Sequence, residues 1–107
     1  LNMANIHRGE IDATIDGKKL VLCLTLGALA ELENSLQADD LLALGERFAS
    51  GKVSARHLII ILGAGLRGAG NDISDDELAN LPIEGGLKGA ASIAAALLQA
   101  TFGDLSQ

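Results

Sequence analysis

The hydrophobic pattern changes period once along this chain, at Thr25, and that change limits the fold more than any other feature. Before it the pattern repeats every two residues. Ile11, Ala13 and Ile15 alternate with Glu10, Asp12 and Thr14. After Asp16-Gly17, Leu20, Leu22 and Leu24 alternate with Lys19, Val21 and Cys23. Such alternation marks a strand with one buried face. On both sides of an Asp-Gly pair it marks a β-hairpin, here over about 9–25. A two-residue turn sets Ala13 opposite Leu20 and Ile11 opposite Leu22. A four-residue loop keeps the same faces together, so the pattern specifies the apolar face and leaves the register open.

After Thr25 the spacing becomes helical. Leu26, Leu29, Leu32 and Leu36 form one stripe, with Thr25 as N-cap, over 26–37. Asp39 caps a second helix, 40–50, that carries Leu41, Leu44 and Phe48 and ends at Gly51. Ser54 caps a third, 55–69, with Val53 and Leu58 at the spacing of a hydrophobic staple. Ser74 and Glu77 form a capping box for a fourth, 75–81, with Ile73 and Leu78 as its staple; Pro82 stops it. Gly85-Gly86 leads into a fifth, 86–102, with Leu87, Ala90, Ala94, Leu97, Leu98 and Phe102 on it and Gly103 after it.

Of the 107 residues, 49% are hydrophobic, enough for one core, and only Phe48 and Phe102 are aromatic. The core is therefore aliphatic, and its Leu and Ala favour helices. The expected fold is α+β, mainly α: an N-terminal hairpin followed by a compact bundle of four to five helices, with residues 1–107 as a single domain.

Charge excludes several functions. Fourteen acidic residues against eight basic ones leave a net charge of −6, which repels phosphate backbones. No Trp or Tyr offers a base a stacking surface. Nucleic acid is therefore not an expected partner. No apolar run is long enough to span a membrane, and no basic-then-apolar segment opens the chain as an export signal. A single cysteine, Cys23, forms no internal disulfide. Together these point to a reducing, cytoplasmic compartment.

The run Gly63-Ala64-Gly65-Leu66-Arg67-Gly68, after Leu58-Ile59-Ile60-Ile61-Leu62, imitates a strand feeding a dinucleotide-binding loop. The context disagrees. Such glycines open a helix, whereas Asn71-Asp72 and a new cap at Ser74 follow Gly70. The acidic residue that should end a second strand falls at Glu84, beside Gly85-Gly86. Asn71 to Ile73 is also too short for a crossover. In a helical reading Leu58, Ile61, Leu62, Gly65 and Ala69 share one face and Arg56 and Arg67 the other. Interior glycines then call for a packing reason, a neighbour pressed over Gly65. Ile60 and Ala64 lie near the arginine face, which makes the helix central or gives it a partner contact.

No catalytic constellation stands out, and the chain is not expected to be an enzyme or to take a cofactor. His7, His57 and Cys23 have no metal-ligand spacing. A Cys23–His57 nucleophile–base pair is opposed by the mid-strand place of the thiol. Asp39-Asp40 and Asp75-Asp76 stand at helix starts, where the dipole favours them. A hairpin alone is marginal and exposes strand edges. Its outer face makes Val21, Cys23 and Thr25 a candidate partner-binding edge; the alternative is that a helix or loop covers it.

The hairpin followed by Leu24-Thr25-Leu26-Gly27-Ala28-Leu29-Ala30-Glu31-Leu32-Glu33 resembles small proteins of phage tail gene clusters and bacterial gene transfer agents. Asp40-Leu41-Leu42-Ala43-Leu44, Gly65-Leu66-Arg67-Gly68-Ala69-Gly70 and Ala100-Thr101-Phe102-Gly103 extend the resemblance over nearly the whole chain. Members are described as tail assembly chaperones of the gene transfer agent type, and sometimes loosely as tail tube proteins. The resemblance implies a protein that binds the tape measure protein, and the tail tube protein as a further partner, during tail assembly. The alternative is a structural tail tube or tail completion protein. The family has no catalytic residues to carry over.

Overall fold

In the computed structural model, residues 9–36 and 54–102 are described. Strands β1 (Glu10–Ile15) and β2 (Lys18–Cys23) form an antiparallel pair. The register is that of the two-residue turn: Ile11 faces Leu22 and Ala13 faces Leu20. Asp16 and Gly17 have φ of 55° and 73°, and two successive positive φ values match the twist of the strands. Ala13, Ile15, Leu22 and Leu24 are buried on the inner face.

Four helices follow in the described residues: α1 (Leu26–Leu36), α2 (Ala55–Gly68), α3 (Asp75–Ala79) and α4 (Gly86–Phe102). The observed class is the expected one, a small β part and a mainly α body. Thr25 caps α1, its Oγ1 accepting from the Ala28 N–H at 3.1 Å. Ser54 caps α2 more loosely, at 3.5 Å from the His57 N–H. The Ser74–Glu77 capping box closes in both directions, at 2.9 and 3.1 Å. The expected helix over 40–50, with Asp39, Gly51 and Val53, lies outside the described residues, as do His7 and Gly103.

Two ends differ from expectation. Helix α3 stops at Ala79, not Leu81, because the N–H groups of Asn80 and Leu81 turn back to Glu77 and Leu78. Helix α2 stops at Gly68 with Ala69 as C-cap. Gly70 follows at φ 97°, its N–H on the Arg67 carbonyl and the Asn71 N–H on the Leu66 carbonyl. This pair of bonds is a Schellman closure, which needs a left-handed residue at that point.

Helix α2 is central. It packs against α1, β2, α3 and α4, and Leu58 and Ile60 to Leu66 are all buried. That accounts for Ile60 and Ala64 near the arginine face. All buried side chains join one cluster that is entirely apolar among the described residues.

The three glycines of α2 have separate reasons. A Cβ on Gly65 would stand 2.6 Å from Leu97 Cδ2 on α4 and 3.3 Å from Leu22 on β2. At Gly68 it would run into the backbone carbonyl of Cys23, and at Gly63 into the Asp75 carboxylate. The expected neighbour over Gly65 is thus a helix and a strand at once.

Candidate functional site

Both outer edges of the hairpin are partly engaged within the chain. Beside β1, the Glu84 N–H donates to the Thr14 carbonyl at 3.2 Å, the Asp16 N–H to the Pro82 carbonyl at 2.7 Å, and Ile83 bridges Ile15. Beside β2, Asn71 Nδ2 donates to the Val21 carbonyl at 2.9 Å, and Gly68 lies against the Cys23 carbonyl. The candidate edge therefore divides. The Val21 and Cys23 carbonyls face α2 and its following loop, while Thr25 is exposed and occupied as an N-cap.

The same loop is held by Arg67. Its Nη1 donates to the Ile73 carbonyl and to Asp75 Oδ1, both at 3.0 Å, and its Nη2 pairs with Glu31 on α1. Burial is the largest single influence on this guanidinium and opposes its charge. The hydrogen bonds from Glu31 and Asp75, with their charges, together outweigh it and raise its pKa above the ordinary value. A raised pKa on a cation stabilises the fold at every pH below the ordinary value and is lost only above it. The clamp on Arg67 is therefore constant through the physiological range. Sequence reading placed Arg67 on the outer face and missed both partners.

The helical state of Gly63 to Gly68 removes the nucleotide reading, since their N–H groups lie inside a helix and not at its start. Cys23 sits at the Gly68 end of α2 and His57 in its first turn, about 16 Å away along the helix. They do not form a nucleophile–base pair. Among the described residues, no group of three His, Cys, Asp or Glu is placed to hold a metal, and no helix is long and apolar enough to cross a membrane.

What the surface offers is an apolar groove of about 250 Å³ between the first half of α2, α3 and the start of α4. Leu58, Leu62 and Leu78 form its floor, and Leu81, Ile83 and Leu87 its sides. Leu87 is 58% exposed. A second recess, at Ser35, Arg56, Ile60 and Asp75, mixes polar and apolar groups and both charges. The periodic pattern assigns Leu87 to an apolar stripe; only the fold shows that this leucine is exposed.

The chain matches no curated protein and no solved structure at a significant level. A family model does match it over residues 8–104, which takes in the hairpin, all four helices and the groove. The family is described as phage tail tube protein, GTA-gp10. This chain belongs to that family, and so to the tail proteins of phages and gene transfer agents.

Proposed function

We propose that the protein is a tail assembly chaperone, which binds the tape measure protein in the bacterial cytoplasm while tail tube subunits polymerise around it. In this role it acts by binding alone, with no active site and no cofactor. The observation that carries the reading is the contrast between sheet and groove. The hairpin edges that would extend a sheet into a neighbouring subunit are partly engaged inside the chain. The groove, in contrast, is apolar and, among the described residues, is left beside an exposed leucine. That arrangement suits capture of an apolar segment better than construction of a continuous β wall.

The family description supports a second reading more directly: a structural subunit of the tail tube or a tail completion protein. Such a subunit must carry two complementary faces that repeat from copy to copy.

Quantitative mass spectrometry of purified particles separates the two. The chaperone reading expects the chain to be absent from finished particles and to be pulled down by the tape measure protein from assembling cells. Many copies per particle would establish the tube subunit instead. Failure of folded tape measure protein to retain the chain would end the chaperone reading.

A further inference from the structure

We infer that residues 82–86 form a latch that couples the outer edge of β1 to the groove. Closed, the latch ends the sheet and walls the groove; open, it releases both at once. It works the same way under either reading of the function, because it involves this chain alone.

One side of the segment is a rudimentary third strand. The bridge between Ile15 and Ile83 brings the Glu84 N–H to the Thr14 carbonyl at 3.2 Å and the Asp16 N–H to the Pro82 carbonyl at 2.7 Å. The other side is groove wall, where Ile83 and Gly86 both line the recess. No further strand can join the sheet here while the segment is in place. Pro82 has no N–H to donate, and the Ile83 carbonyl already accepts from the Gly86 N–H at 2.9 Å. With the segment withdrawn, Thr14 and Asp16 present an outward carbonyl and an outward N–H, the groups through which a sheet edge pairs. The groove loses two of its lining residues in the same movement.

Little holds the segment down. Pro82, Glu84, Gly85 and Gly86 are exposed, and Ile83 is only half-buried. Gly85 and Gly86, at φ 86° and 63°, join the segment to α4. Both sit in the left-handed region, which glycine enters and leaves without steric cost, so the joint can turn. It lies inside the turn that the Gly86 N–H closes, and opening therefore breaks that bond too. The helices on either side are anchored separately, since Leu78 of α3 and Ala90 of α4 are buried in the core. A segment with few apolar contacts and exposed main-chain bonds opens at a cost well below that of global unfolding. Whatever binds the open form at one of the two places then favours release of the other, because coupling between sites is reciprocal.

The test is amide hydrogen exchange, read by NMR on the ¹⁵N-labelled full chain over a series of low urea concentrations. Asp16, Glu84 and Gly86 carry the N–H groups that the closed latch bonds. They should share one opening equilibrium, more populated by about a hundredfold than the opening that exposes the Ile61 and Leu62 amides of α2. That equilibrium should barely change with urea, because a local opening exposes little surface. Ile83→Ala should raise exchange at all three amides by one common factor, about tenfold, and the milder Ile83→Val by about threefold. Exchange of the three as slow as that of Ile61 and Leu62, with the same urea dependence, overturns the latch, since the segment then opens only when the whole chain unfolds. Gly86 exchanging apart from Asp16 and Glu84 overturns the coupling of groove to edge. An effect of Ile83→Val confined to one or two of the three amides overturns it as well.

Discussion

Gly65 and Gly68 share a helix and differ in what lies over them. At Gly65 the obstacles to a Cβ are side chains, Leu97 and Leu22, both fully buried and held by the core. Alanine there gains up to about 1 kcal/mol of helix propensity and loses about 1–3 kcal/mol to overpacking. At Gly68 the obstacle is the Cys23 backbone carbonyl, which cannot move without the strand, and the residue is the last of its helix. Gly68→Ala should therefore cost about 2 kcal/mol or more and Gly65→Ala about 1 kcal/mol. Chemical denaturation followed by circular dichroism gives both values. A Gly65→Ala variant more stable than wild type would remove the packing account at that position. Equal losses at the two sites would remove the distinction between backbone and side chain.

At the scale of elements, the shortest helix depends most on its ends. Helix α3 has five residues, too few to persist on propensity alone. Its capping box, the acidic first turn and the burial of Leu78 hold it in place. It in turn presents Asp75 to Arg67 and Leu78 to the groove. Ser74→Ala should lose about 1 kcal/mol, and Ser74→Asn should recover most of it. The denaturation midpoints of the two variants check this. Indistinguishable midpoints for wild type and Ser74→Ala would mean that burial of Leu78 alone holds the helix. The joints between elements are polar and few: Arg67 ties α1 and α3 to α2, and Asn71 ties the loop to β2.

At the scale of the molecule, one apolar cluster joins both strands and all four helices of the described residues. No second core is available among them to unfold separately, so heat should unfold the chain in a single two-state transition. With no Trp or Tyr and two Phe, aromatic probes are weak, and the comparison belongs to helical circular dichroism and methyl NMR. Their transitions should coincide. Loss of the methyl dispersion well before the helical signal would show a compact state without fixed packing and contradict the single core.

The sequence by itself determined the elements and their inner faces. The hairpin, its Asp16-Gly17 turn, the caps at Thr25, Ser54 and Ser74, and the close of α2 around Gly70 all follow from residues within a few positions of one another. Such local signals carry a period or a fixed spacing, and so they can be read from the chain. Two helix ends moved, α3 by two residues and α2 by one, because backbone bonds at a frayed terminus are not encoded in a period. Only the tertiary structure decided that α2 is the central helix, that a strand and a helix share the space over Gly65, and that the Val21 and Cys23 carbonyls face α2 and the loop after it. Arg67 meets Glu31 from 36 positions away and Asn71 meets Val21 from 50. A single polar pair at that separation leaves no repeat in the sequence; it exists only once the apolar faces have packed and set the loops beside each other. The groove has the same origin. Its leucines were legible as core residues, and only the packing of three helices sets them around one recess.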